Sequence, residues 1–503
     1  MSLLNDSERG FATAVSHLAY VTPFLTERIE WERRALGGEH RPFDAVWHAR
    51  ARTGGDNIAG ENPNEARIAE RTAALAERLR ERLAAGARAT SEEAEVYQDL
   101  VVYLLYYRYQ ERLYEAILAR RPGFGFYTEF AADCGRFLPR LSPAHLFACC
   151  YQVRRAFHST FRSIIGRSMP AARLRAQAWQ SIFTHDLRRY QRGLYQRLGD
   201  VTTLVTGPSG TGKELVARAI ALSRYIPFDA EALRFAERPE ESFFPLNLSA
   251  LSPTLIESEL FGHRRGAFTG AVADRSGWLE VCPPLGTVFL DEIGEVDLAI
   301  QIKLLRVLES RTFQRLGDTR ERRFHGKVVA ATNRDLAREM SAGRFREDLY
   351  YRLCADRIET PSLAERLRDA PEEIEDLVLV LAERQVGDEL APELAREAVA
   401  WIDQHLGPDY PWPGNVRELA QCVSNILIRR EYLPAARVAA GDPRRAVAEE
   451  ILSGRLTADE VLSRYCTLIY AETGSYQEAA HRLGLDRRTV KARVDRELLA
   501  KLT

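Results

Sequence analysis

A chain of 503 residues exceeds what one hydrophobic core supports, so several domains are expected. At 46% hydrophobic and 28% charged it has the composition of a folded globular protein, and its net charge of -1 excludes whole-molecule attraction to nucleic acid. Any DNA contact must therefore come from a local basic patch. The run "VVYLLYY" from Val101 is broken by Arg108, too short for a membrane span, and "MSLLNDSERG" lacks the features of a secretory signal. The seven cysteines include the adjacent pair Cys149 and Cys150 but no CxxC spacing, so buried free thiols and a reducing, cytoplasmic location without membrane contact are expected.

Residues 1–178 read as helical almost throughout. "NEARIAERTAALAERLRERLAAGARA" is rich in strong helix formers, and "EVYQDLVVYLLYYRYQERLYEAIL" is apolar on most faces, as the central helix of a bundle would be. Its tyrosines suit either an aromatic core or the lining of a ligand pocket. These residues do not disclose what signal the region takes, nor whether it inhibits or activates.

From about residue 180 the pattern changes to short β-branched runs, "VTTLVTG", "GTVFLDE" and "KVVAATN", separated by helical stretches. That alternation implies a parallel sheet with ligands at the carboxyl ends of the strands. "TLVTGPSGTGKELVARAIA" sets Gly207, Pro208, Ser209, Gly210, Thr211, Gly212, Lys213 and Glu214 between a strand and a helix, the context of a phosphate-binding loop. Glycines let backbone N–H groups turn toward phosphates, and Lys213 supplies the point charge. Glu214 stands where a Ser or Thr magnesium ligand is usual, leaving Thr211 or a downstream acidic pair to compensate. That pair is Asp291–Glu292, at the end of an apolar strand: Asp291 for Mg²⁺ and Glu292 for the attacking water. Asn333 ends a third strand as a polar sensor of the γ-phosphate. ATP hydrolysis is the chemistry this set implies.

Between these motifs lies "ESELFGHRRGAFTGAV", in which Phe268 and Thr269 stand between glycines. A solvated loop would want more polarity there, so a phenylalanine on a glycine hinge suggests a tip that touches a partner. In "GRFREDLYYRL", Arg346 and Arg352 are about 240° apart around a helix and suit an interface where one reaches a neighbour's ATP.

After "RIETPSL" the chain is helical to about 432, and "LPAARVAAGDPRRA" reads as a linker. "TGSYQEAAHRLGLDRRTVKARVDRE" then has a helix-turn-helix layout: Tyr476, Ala479, Ala480 and Leu483 form an inward stripe, Gly484–Leu485 the turn, and Asp486 a cap. Val490 and Val494 are the buried positions of the second helix, and Arg487, Arg488, Thr489, Lys491 and Arg493 the candidates for contact with double-stranded DNA. A single such unit reads a half-site, so a dimer on an inverted repeat is expected.

In order, "GPSGTGKE", "ESELFGHRRGAFTGA", "GTVFLDEI", "LLRVLESRTFQRLGD", "ATNRDL", "FREDLYYRL" and "WPGNVREL" closely resemble the AAA+ domain of sigma-54-dependent transcription activators, the bacterial enhancer-binding proteins. The resemblance covers roughly residues 180–432 and extends to the C-terminal unit. It implies an α/β P-loop AAA+ core with a helical lid, preceded by an all-α domain and followed by a small helix-turn-helix domain. The corresponding bounds are 1–178 (regulatory), 179–360 (core), 361–432 (lid), 433–454 (linker) and 455–503 (DNA-binding). It implies that Gly266, Ala267, Phe268, Thr269, Gly270 and Ala271 contact sigma-54, and that Asn247 is a switch engaging Glu292. Arg315 then supports the loop, Arg417 senses nucleotide within the subunit, and Arg352 is the arginine acting in trans. Glutamate after the P-loop lysine is common in the family, whereas "HRR" at the loop base departs from the usual His-Glu-Lys. The implied activity is ATP-driven remodelling of the sigma-54 RNA polymerase closed complex by a homo-oligomer, dimer to hexameric ring, bound to upstream DNA and using ATP and Mg²⁺. Two other readings share these motifs: a DNA-binding regulator that uses ATP only as a ligand, and a AAA+ remodelling enzyme of another clade.

Overall fold

The computed structural model describes residues 3–42, 62–119, 123–434, 443–452, 454, 456–495 and 498–499. The chain divides into two compact units, Met1–Val423 and Ser424–Thr503.

The first unit begins with helices α1 (Asp6–Leu18), α2 (Thr26–Leu36), α3 (Pro63–Ala84), α4 (Ser91–Leu118), α5 (Tyr127–Phe137), α6 (Pro143–Ser163), α7 (Met169–Phe183) and α8 (Leu187–Arg192). Their starts are written in the sequence: Thr90 and Glu93 close a capping box ahead of α4, while Ser142 and Ser168 cap α6 and α7 with proline in the first turn. α4 is central. Tyr97, Leu100, Val101, Leu105, Tyr109 and Leu113 are buried among residues of α1, α3, α5 and α6, so the aromatic-core reading of this helix holds for most of its length.

The sheet follows, with β1 (Thr203–Thr206), α9 (Lys213–Ala221), a small hairpin of β2 (Phe228–Asp229) and β3 (Arg234–Phe235), β4 (Phe243–Asn247), α10 (Pro253–Phe261), α11 (Trp278–Val281) and β5 (Thr287–Asp291). Next come α12 (Leu298–Ser310), a hairpin of β6 (Thr312–Phe313) and β7 (Arg322–Arg323), β8 (Lys327–Thr332), α13 (Leu336–Ser341), α14 (Glu347–Leu353) and β9 (Asp356–Glu359). Five strands pair in parallel in the order β4-β5-β8-β1-β9, the layout expected from alternating strands and helices. Side chains alternate faces along each strand. Leu204, Val288, Leu290, Val328 and Ala330 pack with α10, α12 and α14, whereas Val205, Phe289, Val329 and Ala331 face the other way, onto α7 and α9. The lid helices are α15 (Leu363–Asp369), α16 (Glu373–Val386), α17 (Ala391–His405) and α18 (Asn415–Arg429).

The domain limits differ from expectation in three places. The division at 178/179 falls inside α7, whose Leu174, Trp179, Ile182 and Phe183 share one apolar cluster with Val205, Val216, Phe289 and Ile358 of the sheet layer. The break between compact units falls within α18, and the stretch expected as linker carries a helix over Pro443–Leu452, with 435–442 outside the described residues. All seven cysteines are unpaired and six are buried; burial pushes the Cys149 thiol up to about 12. No helix among the described residues is long and apolar enough to cross a membrane.

The second unit closes with helices Ala458–Thr473, Tyr476–Leu483 and Arg487–Arg493 around Cys466, Ile469, Ala479, Ala480 and Val490. Gly484 takes the left-handed turn at φ 65°, and Asp486 caps the last helix by accepting the Arg488 N–H at 2.7 Å.

Candidate nucleotide site and partner loop

Strand β1 ends at Thr206, and the loop to α9 turns on three glycines at positive φ: Gly207 (139°), Gly210 (78°) and Gly212 (91°). Two of them leave no space for a side chain. A Cβ on Gly207 would strike Thr360, and one on Gly210 would strike Gly414 O. Lys213, the first residue of α9, folds back to donate from Nζ to Gly207 O at 3.0 Å and Pro208 O at 3.2 Å. Burial holds its ammonium below the usual lysine range, against the opposing pull of Glu292 and Asp291.

The lid closes this loop through its backbone. Asn415, at φ 53°, donates from Nδ2 to Ser209 O (2.9 Å), the Val416 N–H donates to Gly210 O (3.1 Å), and Arg417 donates to Ser209 Oγ (3.0 Å). Arg417 thus lies against the loop between β1 and α9. Asn415 was not anticipated, although an asparagine in the left-handed region before a helix is a recognisable signal.

At the neighbouring strand end, Glu292 adopts φ 56° and ψ 48° and donates its N–H to Asp291 Oδ1 at 3.1 Å. Such strain in a non-glycine residue is kept where the surroundings over-determine it. The Glu292 carboxylate accepts the Asn333 N–H at 3.2 Å, bringing Asp291, Glu292 and Asn333 onto one edge. Burial and the adjacent Glu292 raise Asp291 above the usual carboxylate range, partly offset by Lys213. A cation would relieve that crowding, so the donor set fits a divalent ion bound by one carboxylate and phosphate oxygens. Glu214 pairs outward with Arg218 at 3.4 Å, and Thr211 Oγ1 is engaged with Pro208 O (2.9 Å) and Thr360 Oγ1 (2.7 Å). Thr211, Asp291 and Glu292, the candidates to replace the missing Ser or Thr ligand, all line the cleft, but the Thr211 hydroxyl is taken by protein oxygens and Glu292 holds the Asn333 N–H.

The cleft measures about 820 Å³, and a third of its wall was unforeseen. Besides Ser209–Glu214, Asp291, Glu292 and the lid, it is lined by Arg155, His158, Arg162 and Ser163 of α6 and by Ile164 and Ile165. Arg175 fixes this segment by donating to Ile164 O (2.9 Å) and Gly166 O (2.8 Å), while Arg366 reaches Ile165 O and the buried Glu373. Glu373 also accepts the Ser168 N–H at 2.6 Å, and Arg167 forks onto Asp376. The Ser-Met-Pro helix start at 168–170 marks where this wall hands over to α7, a signal legible in sequence.

Asn247 ends β4 directly opposite Asp291 in the sheet register, yet its amide oxygen accepts from Ser249 N (3.0 Å) and Oγ (2.8 Å) in place of the expected partner Glu292. From Asn247 the chain passes through α10 into the Gly266–Ala271 loop. Gly266 (φ 81°) and Gly270 (φ 99°) flank it, and the Gly266 N–H donates to Ala271 O at 2.8 Å. Phe268 is not an exposed tip here. Its ring lies half-buried, edge-on to His263 at 4.9 Å, and Thr269 and Val272 (83% exposed) are what the loop presents. His263 is bridged to both Arg275 and Leu316, so the β6–β7 segment braces the loop base. Arg315 secures that brace with a fork onto Glu280 (2.8 and 2.7 Å), and Arg264 of "HRR" pairs with Asp274 at 2.8 Å.

Arg346 caps α14 with its side chain held by Asp348 (3.0 and 2.6 Å); Arg352 is exposed and donates to Leu308 O at 3.3 Å. In the C-terminal unit Arg487, Arg488 and Lys491 are exposed and Thr489 half-buried, but Arg493 is committed to Asp459 at 2.8 Å, tying the last helix back to the first.

Residues 185–359 match the family model described as the Sigma-54 interaction domain. The Nif-specific regulatory protein of Azotobacter vinelandii is 45% identical over 230 residues, 46% of this chain and 40% of that protein. The transcriptional regulatory protein ZraR of Escherichia coli is 38% identical over 307 residues (59% and 64%), and the hydrogenase transcriptional regulatory protein HoxA of Bradyrhizobium diazoefficiens 39% over 313 (60% and 60%). The chain therefore spans 40 to 64% of the length of these relatives. Among solved structures, NtrX from Brucella abortus in complex with ATP is 23% identical with a TM-score of 0.40, covering 76% of this chain and 82% of that one. Residues 185–359 are thus similar to the sigma-54 interaction domain, and the chain resembles transcriptional regulatory proteins over that part of its length.

Proposed function

We propose that this protein is a cytoplasmic, ATP-hydrolysing transcription activator that binds upstream DNA and remodels the sigma-54 RNA polymerase closed complex through Gly266–Ala271. One observation carries this reading: β4 ends beside Asp291 and leads through the single helix α10 into that loop, so the edge that meets the γ-phosphate and the loop that meets the partner belong to one continuous segment. Backbone N–H groups of 207–213 and Lys213 hold the phosphates, Glu292 orients the attacking water, and Asn333 and Arg417 read the nucleotide. Asp291 would hold Mg²⁺, which would supply charge neutralisation on the phosphates. Asn247 exchanges Ser249 for Glu292 as the γ-phosphate comes and goes, and Phe268 leaves His263 when the loop rises. Arg352 completes a neighbour's site in a homo-oligomeric ring, with Arg346 released from Asp348 on assembly. Arg487, Arg488 and Lys491, with Thr489, supply the DNA contact, and Arg493 supports the helix that carries them.

Thr269→Ala is the test. ATP turnover is expected to stay within about twofold of the parent while open-complex formation at a sigma-54 promoter, followed by permanganate footprinting, is lost. A variant that still opens the promoter would remove the loop from the mechanism.

A further inference from the structure

A second cavity, of about 90 Å³, lies on the other side of α6 from the nucleotide cleft. Tyr103, Tyr106 and Tyr107 of α4, with Phe157 and Trp179, give it aromatic walls. Its polar wall is already largely satisfied: Arg28 donates to Glu32 (3.0 Å), Glu65 (2.6 Å) and the Tyr107 hydroxyl (2.7 Å). The exceptions are Glu65 Oε2, the Tyr103 hydroxyl and Arg154. Arg154 is 2% exposed, lies over the Tyr114 ring at 4.1 Å, and among the described residues its Nε has no hydrogen-bond partner and its guanidinium no ion pair. The carboxylate whose charge it feels, Glu65, is already bonded to Arg28. A buried cation without an ion-pair partner of its own is costly, and burying an anion against it offsets that cost. An empty 150 Å³ apolar cavity takes benzene, so this smaller cavity favours a few carbons beside the charge over a full ring.

Helix α6 connects the two cavities. Cys150, Val153, Arg154 and Phe157 recur at i, i+3, i+4 and i+7 and line the tyrosine cavity; Arg155, His158, Ser159 and Arg162 line the cleft from a stripe about 140° around the same helix. Trp179 and Leu187 extend the cavity wall into the layer packed on the sheet. From these placements we propose that the tyrosine-walled cavity is an effector site for a small organic carboxylate, its anion on Arg154 and its apolar body against the tyrosines, and that its occupancy shifts nucleotide affinity through α6. The coupling half rests on the cleft being a nucleotide site.

The test uses the full chain with benzoate and butyrate as probes, phenol as the neutral control, and ADP as the second ligand. Calorimetry is expected to give saturable binding of at least one carboxylate at millimolar concentration, with phenol ~10-fold weaker or absent. Saturation with that carboxylate is then expected to change ADP affinity by at least ~5-fold, the lower edge of ordinary allosteric coupling. Arg154→Met is expected to abolish carboxylate binding. Should that variant not fold, Ala19→Leu, which fills the cavity from the half-buried end of α1, is expected to do the same. Absence of carboxylate binding, equal binding of phenol, or binding that leaves ADP affinity unchanged would overturn the proposal. Failure of ADP to bind the carboxylate-free protein would instead strike the nucleotide reading, and the calorimetry would still decide the cavity.

Discussion

The nucleotide cleft and the tyrosine cavity share a wall, α6, but are built from different materials. The cleft is made of backbone: three glycines at positive φ and a lysine folded onto carbonyls. Backbone geometry restricts residue choice, so it leaves a readable motif. The cavity is made of side chains from α1, α3, α4, α6 and α7, brought together only by packing. Functional sites of the first kind announce themselves in sequence; those of the second kind look like an aromatic core until an unpaired charge is found inside.

The comparison breaks most sharply if the two sites do not stand on a common frame. Glu373 joins them: wholly buried, it holds Arg366 and the Ser168 N–H and so fixes the segment leaving α6 to the lid. Glu373→Ala leaves a buried guanidinium uncompensated, and a loss of about 3–5 kcal/mol in urea unfolding of the full chain is expected. A loss under about 1 kcal/mol would mean the lid and α6 are held some other way.

Next in size, Lys213→Ala removes the ammonium that the proposed mechanism sets on the phosphates. A fall of about 10²–10³ in ATP turnover, followed by phosphate release, is expected from losing one preorganised donor. Glu292→Gln is expected to hydrolyse slowly while still binding nucleotide if, as proposed, the glutamate acts on water and not on the phosphates. Equal loss of ADP binding in both variants would contradict that division of labour.

How much was legible follows the same line. Gly207 to Lys213, the Asp291–Glu292 strand end and the parallel sheet could be read because each pairs a backbone demand with a fixed neighbour in sequence, whereas Arg417 was implied by the family resemblance alone. The division at 178/179 could not, since periodicity marks where helices lie but not which core they join; α7 reads as one more helix of the N-terminal bundle, yet its Trp179 and Phe183 pack onto the sheet layer. Phe268 shows a further limit. Sequence placed it in a loop between glycines, but whether the ring faces solvent or His263 depends on a contact that one loop conformation makes.

The cavity side of the comparison is sharpened by pH. Burial pushes the Glu65 carboxyl up to about 7 from 4.5, with Glu32 adding to the rise while Arg28, Arg154 and the Tyr107 hydroxyl oppose it. Because the folded value is the higher one, the folded state holds a proton that the unfolded state has released between these limits. Stability from this group therefore falls as pH rises from 4.5 to 7 and is constant above, by on the order of 3 kcal/mol. Glu65→Gln is expected to flatten that slope in thermal unfolding across the range. An unchanged slope would place the titration on other groups and leave Glu65 ionised beside Arg28.

The smallest effect tests whether the contrast between motif and packing extends to the C-terminal unit. The run of Arg487, Arg488, Lys491 and Arg493 reads as one basic face, but the fold divides it: the first three are exposed, and Arg493 is paired with Asp459. Removing a phosphate-contacting cation lowers the salt dependence of DNA binding by about one unit of slope, so Arg487→Ala is expected to do this. Arg493→Ala is expected to leave the slope nearly unchanged and to cost about 0.5 kcal/mol of stability, the worth of a surface ion pair. Parallel salt titrations by fluorescence anisotropy on one duplex separate the two. If both variants lose the same slope, Arg493 must abandon Asp459 on binding, and the division drawn by packing would give way to the face drawn by sequence.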